Sequence, residues 1–140
     1  MARVVLKAVS TVLLVSSALL LPAIPLAADP PDSFTGCSSK ERRGPPCGRN
    51  KSFHFGDKVH IRGIVDPPHP HLEGRLLRKR PGSDEWNRFA TADITDGGIM
   101  RVAWQTHRRH AVQNHPYKFQ WKIGGHGESN KFKVFVLFGE

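Results

Sequence analysis

After residue 52 the chain is a succession of short stretches in which apolar and polar side chains alternate, each no longer than about eight residues. Alternation with a period of two is typical of β-strands that have one buried and one exposed face. Turn-forming residues such as Gly, Pro, Asp and Ser separate these stretches. The pattern predicts strands at residues 58–65, 74–80, 86–92, 99–105, 117–123 and 131–138.

The strand pattern leaves little choice of fold class. Six or seven short strands between residues 53 and 140, with no convincing helical period after residue 28, predict an all-β protein. Strands at this spacing are typical of an antiparallel sandwich or a small barrel.

The first 28 residues have the plan of a secretory signal peptide. Residues 4–26 are almost continuously apolar, with the basic residues Arg3 and Lys7 at their start and two prolines near their end. The small residues Ala27 and Ala28 follow them. We predict cleavage after Ala28 and export from the cell. The alternative is that the segment is retained as a membrane anchor, because about 20 apolar residues span a bilayer. The two prolines argue against a stable spanning helix, so we expect no retained membrane span.

Export from the cell determines the expected oxidation state of the two cysteines. In an oxidising compartment Cys37 and Cys47 are expected to form a disulfide. The residues between them include no large apolar side chain. The sequence therefore predicts three parts: a signal peptide at 1–28, an irregular, Pro-rich, basic leader with a disulfide-closed loop at 29–52, and a β-domain at 53–140.

The chain is strongly basic, with 21 Lys and Arg against 12 Asp and Glu. Removal of the signal peptide with its two basic side chains leaves a formal charge of +7. Such a surface attracts polyanions: a phosphate polymer of the cell envelope, a sulfated glycan, an acidic lipid surface or extracellular nucleic acid. No base-reading motif is present, so no specific nucleic acid is predicted.

Basic residues recur on the outward side of the predicted strands. If the last two strands form a hairpin, the lysines of residues 117–123 lie near those of 131–138. The alternative is that lysines on edge strands prevent aggregation. The predicted polyanion-binding residues are Lys118, Lys122, Lys131 and Lys133. They are extended by Arg75, Arg78, Lys79 and Arg80 of the second strand and by Lys40, Arg42 and Arg43 of the leader.

Histidines form a second candidate site. Five of the eight lie in two connections, near residues 69–71 and 107–115. Because successive antiparallel strands reverse direction, these connections are expected at opposite ends of the sandwich. His107, His110 and His115 of the later connection could bind Zn²⁺ or Cu²⁺. Solvated loop histidines are the alternative, because Arg108 and Arg109 repel a cation.

The aromatic residues are predicted to build the core between two sheets. The alternative is a sugar-stacking platform, which would need two or three of them to be exposed and coplanar. Trp86, Trp104, Tyr117, Phe119 and Trp121 lie in predicted strands and are expected in the core, with Trp104 the weakest case because it lies beside the long connection.

The sequence has no nucleophile elbow, HExxH motif, phosphate-binding loop or dinucleotide fingerprint. Its few carboxylates form no identifiable pair. We therefore expect no enzymatic activity.

Turn and core positions between residues 55 and 138 carry a family resemblance. They are Gly56-Asp57-Lys58-Val59, Gly63-Ile64-Val65, Gly74-Arg75-Leu76-Leu77-Arg78, Trp86 with Ala90-Thr91-Ala92, Thr95-Asp96-Gly97-Gly98 and Tyr117-Lys118-Phe119. With these residues the chain resembles the immunoglobulin-like or fibronectin III-like β-sandwich repeats of secreted actinobacterial proteins. The resemblance implies an antiparallel sandwich of six to seven strands and roles in adhesion, spacing or binding.

These observations predict a secreted, non-catalytic binding or adhesion module that engages an anionic cell-envelope polymer or acidic surface through a basic face. One alternative is an extracellular Zn²⁺ or Cu²⁺ module that uses the later histidine connection. Another is a secreted effector or inhibitor with a protein partner, contacted through residues 37–47 or 106–116.

Overall fold

The computed structural model describes residues 33–139, which form nine strands and one short 3-10 helix. The predicted signal peptide lies outside the described residues. Within them, no helix is long and apolar enough to cross a membrane. The elements are β1 (Ser33–Ser39), β2 (Asn50–His54), β3 (Lys58–Asp66), β4 (Glu73–Lys79), β5 (Trp86–Asp93), β6 (Ile99–Gln105), the 3-10 helix (Arg108–His110), β7 (Tyr117–Ile123), β8 (Gly127–Glu128) and β9 (Phe132–Leu137).

The strands form two sheets that enclose one apolar core. The smaller sheet has the order β1-β3-β6, and the larger has the order β2-β9-β7-β4-β5, with β8 paired to β7. All pairs are antiparallel except β2 with β9, which is parallel. Two sheets that face each other across one apolar core form a β-sandwich. The predicted all-β sandwich is confirmed.

The structure corrects the predicted irregular leader. Within the described part of this leader, residues 40–49 lie outside the strands, whereas β1 pairs with β3 along its whole length and β2 pairs with the last strand, β9. Hydrophobic alternation missed β1, because Phe34 is the one large apolar side chain in a strand of otherwise small residues. Ser38 and Ser39 are themselves buried, which no apolar pattern could indicate. With the two-residue β8, these strands bring the total to nine, against the six to seven predicted.

The predicted disulfide between Cys37 and Cys47 is present. It closes a loop that folds over the outer side of the smaller sheet. The Arg62 guanidinium on β3 donates a hydrogen bond to the Gly44 carbonyl oxygen at 2.7 Å and so ties the loop to the sheet. A bridge between Ser38 and Gly48 continues the pairing beyond the loop.

The core is built around Trp121 of β7, which is completely buried. Two glycines make room for its indole, Gly63 on β3 and Gly74 on β4. A Cβ at Gly63 would lie 3.1 Å from the Trp121 ring, and a Cβ at Gly74 would overlap the Met100 sulfur. These positions therefore require glycine because two sheets and a large ring meet there.

The aromatic predictions are confirmed except at one position. Tyr117, Phe119 and Trp121 are buried, and Trp104 is also buried, with only 5% of its surface exposed. The prediction for Trp86 is wrong, because this residue is half-buried on the outer side of the larger sheet, opposite Lys79. Trp86 is the first residue of β5. The pairing of β5 with β4 determines which face of the sheet its side chain occupies, and the sequence around Trp86 does not specify that pairing.

The two histidine-bearing connections lie at opposite ends of the sandwich, as predicted. β4 runs from Gly74, opposite Ile123, to Lys79, opposite Lys118. The connection from β6 to β7 and the turn from β4 to β5 therefore share one end. At the other end the centres of the His69 and His126 rings are 4.7 Å apart.

Candidate anion-binding site

Three lysines lie side by side on the outer face of the larger sheet. Lys118 of β7 is directly opposite Lys133 of β9 on one side and Lys79 of β4 on the other. We call these three residues the lysine row. They share a face because each alternates with an inward side chain on its strand, such as Phe119 beside Lys118.

The charges of the lysine row are poorly compensated. Like charges directly opposite each other on neighbouring strands repel and destabilise the sheet. Within residues 33–139 the row makes one ion pair, between Lys79 and Asp84 at 3.5 Å. The Asp84 side chain is fully exposed, so solvent screens this pair and it contributes little.

Other residues extend the same face. Trp86 lies opposite Lys79 at the β5 end of the row, and the Nζ atom of Lys131 is 5.8 Å from the centre of the Trp86 ring. Arg75 lies opposite Lys122 on the same outer side. The Nζ atom of Lys122 lies 3.4 Å from a carboxylate oxygen of Glu128. This ion pair reduces the contribution of Lys122 to the positive potential of the face.

The structure brings together Lys118, Lys131 and Lys133 on one outer face, as the hairpin reasoning predicted. It places Lys79, which the sequence predicted as an extension of this face, directly opposite Lys118, and it adds Trp86. Lys79 belongs to the site because β4 is hydrogen-bonded to β7 although the two strands are not consecutive in the chain. Pairing of distant strands is a property of the topology, and no local sequence signal indicates it.

Arg78 does not extend this face, contrary to the prediction, whereas Arg80 lies at its end beside Lys79 and Lys118. Arg78 points between the two sheets, because it shares the inward side of β4 with Leu76. Its guanidinium lies 4.4 Å from the centre of the Phe89 ring and 5.7 Å from those of Trp104 and Tyr117. Arg80 follows β4, in the turn at the end of the sandwich.

Both arginines line a cavity of about 460 Å³ at that end, which we call the Arg78 pocket. The turn after β4 forms one wall and the connection from β6 to β7 forms the other. Among the residues that the structure describes, its lining contains no carboxylate. The polar lining residues are Arg78, Arg80, Arg109, His110, His115 and Tyr117.

Burial and neighbouring charge shift the ionisation of this lining. Burial lowers the pKa of Arg78, and Arg80 lowers it further. Burial raises the pKa of the Tyr117 hydroxyl, against the opposing effect of both arginines. Burial also lowers the pKa of His110, and the neighbouring positive charges, Arg109 first among them, add to this effect, so His110 is neutral at pH 7.

The tautomer of His110 follows from one hydrogen bond. The His107 backbone N–H donates to Nδ1 of His110 at 2.8 Å. A neutral imidazole that accepts at Nδ1 carries its proton on Nε2. His110 therefore adds a neutral N–H donor to a lining that already holds the guanidinium groups of three arginines.

The Arg78 pocket is continuous with the lysine row. A neighbouring depression of about 300 Å³ shares Arg80 and His115 with the pocket and is also lined by Lys79, its ion-pair partner Asp84, and Lys118. The turn that carries Arg80 lies between the two. Positive charge therefore extends from the outer face around the end of the sandwich.

The predicted three-histidine metal site is not formed. In the described part of the chain, no group of three or more His, Cys, Asp or Glu side chains could hold a metal ion. The ring centres of His107 and His110 are 5.6 Å apart, and the backbone of His107 already occupies Nδ1 of His110. The hydrogen bond within the 3-10 turn accounts for the proximity of these two residues.

A second basic area lies on the outer side of the smaller sheet and includes Arg42 of the leader. Arg62 is directly opposite Arg101, and a depression there is lined by Arg42, Lys58 and Arg101. The disulfide loop covers part of this area, since the Gly44 carbonyl oxygen accepts from Arg62.

The lowered pKa of His110 predicts how stability changes with pH. The unfolded chain binds this proton near pH 6.5, whereas the folded chain binds it at lower pH. As the pH falls below about 6.5, the unfolded state therefore gains protons first and the free energy of unfolding decreases. Denaturant unfolding in a non-phosphate buffer, followed from about pH 7.5 to about pH 5, should show a smaller loss in His110→Gln than in the unaltered protein. Equal losses would contradict this assignment.

No family model matches this chain, and no curated protein matches it in sequence. The functional proposal therefore rests on the geometry of the described residues, above all on the lysine row and its surroundings.

Proposed function

We propose that this protein is a secreted, non-catalytic binding module that holds an anionic polymer of the cell envelope on its lysine row. The observation that carries the proposal is the position of Lys118, which lies in register between Lys79 and Lys133. An anionic chain lying across the row would neutralise the repulsion between these three charges.

The strands that carry the lysine row argue against a purely protective role. Lysines that prevent aggregation act on edge strands. In the larger sheet the edges are β2 and β5, whereas the row lies on β9, β7 and β4, each of which is paired on both sides. Protection of an edge therefore does not account for these lysines.

The dimensions of the row favour an extended ligand. Neighbouring strands are about 4.8 Å apart, so three lysines present positive charge over roughly 10 Å. Trp86 at the end of the row offers a partly exposed ring against which a sugar could pack. A polymer that carries both negative groups and sugar rings matches both features.

The disulfide and the composition of the first 28 residues support the proposal that the protein is secreted. A disulfide such as that between Cys37 and Cys47 is typical of exported proteins, and residues 1–28 have the composition of a signal peptide. The resemblance to immunoglobulin-like or fibronectin III-like repeats of secreted actinobacterial proteins adds support for adhesion or binding.

Co-sedimentation with isolated cell envelope tests this proposal. We expect the purified protein to sediment with the envelope at low salt and to be released at high salt, because screening weakens contacts between exposed charges. Failure to sediment at low salt would overturn the proposal. Retention at high salt would show that contacts other than the lysine row dominate.

A further inference from the structure

We propose that the Arg78 pocket binds a phosphate monoester carried on a ring-sized organic group. This pocket adjoins the lysine row, but none of the three lysines lines it, and the inference does not depend on the function proposed for that row. The inference rests on the position of Arg78, the composition of the lining and the size of the cavity.

Arg78 is a half-buried cation without an anionic partner. In the described part of the chain it forms no ion pair, and the ionisable groups that act on it are Arg80 and Tyr117. Burial of an unpaired charge is unfavourable. Contact with the Phe89 ring offsets part of that cost, and an anion in the pocket would offset more.

The rest of the lining favours a doubly charged oxyanion. Arg80 and Arg109 each add a guanidinium group to that of Arg78. Guanidinium groups bind phosphate oxygens through paired N–H donors. A single carboxylate has fewer acceptor oxygens and less charge to match this set of arginines, so phosphate is the better partner.

The cavity has room for more than the phosphate. Its volume of about 460 Å³ lies within the usual range for small-molecule sites. Tyr117, Val112 and Pro81 supply apolar surface in the same lining. A ring attached to the phosphate could pack against these side chains while its oxygens contact the arginines.

Titration with phenyl phosphate, followed by calorimetry and by NMR, tests this proposal. We expect saturable binding in the unaltered protein, with the largest shifts at Tyr117 and Trp104, and affinity at least about tenfold lower for benzoate. Absence of saturable binding at millimolar concentration would overturn the proposal. Equal affinity for benzoate would overturn the assignment to phosphate.

Inorganic phosphate tests the second half of the proposal. It offers the same oxygens to the arginines but has no ring to pack against Tyr117 and Val112. We expect it to bind about tenfold more weakly than phenyl phosphate, because burial of a ring adds apolar contact. Equal affinity for the two ligands would overturn the assignment of a ring-sized group.

Two variants locate the binding. Arg78→Met keeps an apolar side chain over the aromatic rings but removes the charge, and should weaken binding about tenfold or more. Arg80→Gln with Arg109→Gln changes two residues outside the strands and should weaken it similarly, even if Arg78→Met fails to fold. Arg88→Met is the matched control for the first variant and should bind normally. Unchanged affinity in the double variant would overturn the proposal.

The double variant has its own control. Arg42→Gln with Arg43→Gln removes the same charge from exposed positions in the disulfide loop, on the other side of the sandwich. This control should retain the affinity for phenyl phosphate. If it loses as much affinity as the pocket variant, net charge rather than the Arg78 pocket determines binding, and the proposal is overturned.

Discussion

Replacement of Lys79, Lys118 and Lys133 by glutamine is expected to weaken binding of long-chain polyphosphate by about 100-fold at low salt. Each lysine contributes on the order of 1 kcal/mol of charge-assisted contact, and about 1.4 kcal/mol corresponds to a tenfold change in affinity. Fluorescence anisotropy with labelled polyphosphate measures this loss.

The same triple variant should be at least as stable as the unaltered protein. The substitutions remove the directly opposed like-charge pairs, Lys118 with Lys133 and Lys118 with Lys79. Cross-strand pairs contribute roughly 0.2 to 1 kcal/mol each. Weaker binding together with unchanged or higher free energy of unfolding would separate a binding role from a structural one.

A matched control uses the opposite side of the sandwich. Replacement of Arg42, Arg43 and Lys58 by glutamine removes the same net charge from exposed positions. This control should retain most of the affinity for polyphosphate. If it loses as much affinity as the lysine-row variant, total charge rather than the lysine row determines binding.

Substitution of Trp121 by alanine should lower the free energy of unfolding by about 3 to 5 kcal/mol, because it leaves a large cavity in the core. The indole is fully buried and lies against Gly63 and Gly74, which have no side chains to fill the space. A loss of this size is a large part of the stability of a small domain. Denaturant unfolding measures it.

Trp121→Phe is the informative control. The indole Nε1 atom of Trp121 is buried without a hydrogen-bond partner among the described residues. Phenylalanine keeps an aromatic ring in the core and removes this unsatisfied donor, so it should cost less than half as much as alanine. If both variants lose the same stability, ring packing at this position does not stabilise the core as described.

Sequence alternation was sufficient to locate the strands that have a regular apolar face. The predicted strands at residues 99–105 and 117–123 match β6 and β7, and the other predicted strands differ from the structure by a single residue at one or both ends. β1 and β2 were missed because their ladders involve mainly small or polar side chains. The partner of β2 also lies far away in the chain.

The candidate site was only partly predictable for the same reason. Pairing of Lys118 with Lys133 followed from the predicted hairpin, whereas the position of Lys79 opposite Lys118 required knowledge that β4 adjoins β7. The inward direction of Arg78 had a local signal, since Leu76 lies two residues earlier on the same strand face. The Arg78 pocket joins two connections at one end of the sandwich, and this proximity arises only in the folded chain.

The most direct test of the lysine row is the salt dependence of polyphosphate binding by the unaltered protein and the triple variant. We predict that the logarithm of the association constant falls linearly with the logarithm of salt concentration. The slope should be shallower in the triple variant by about 2 to 3. The variant makes three fewer phosphate contacts, so its binding releases fewer counterions. An identical slope in both proteins would contradict binding through the lysine row.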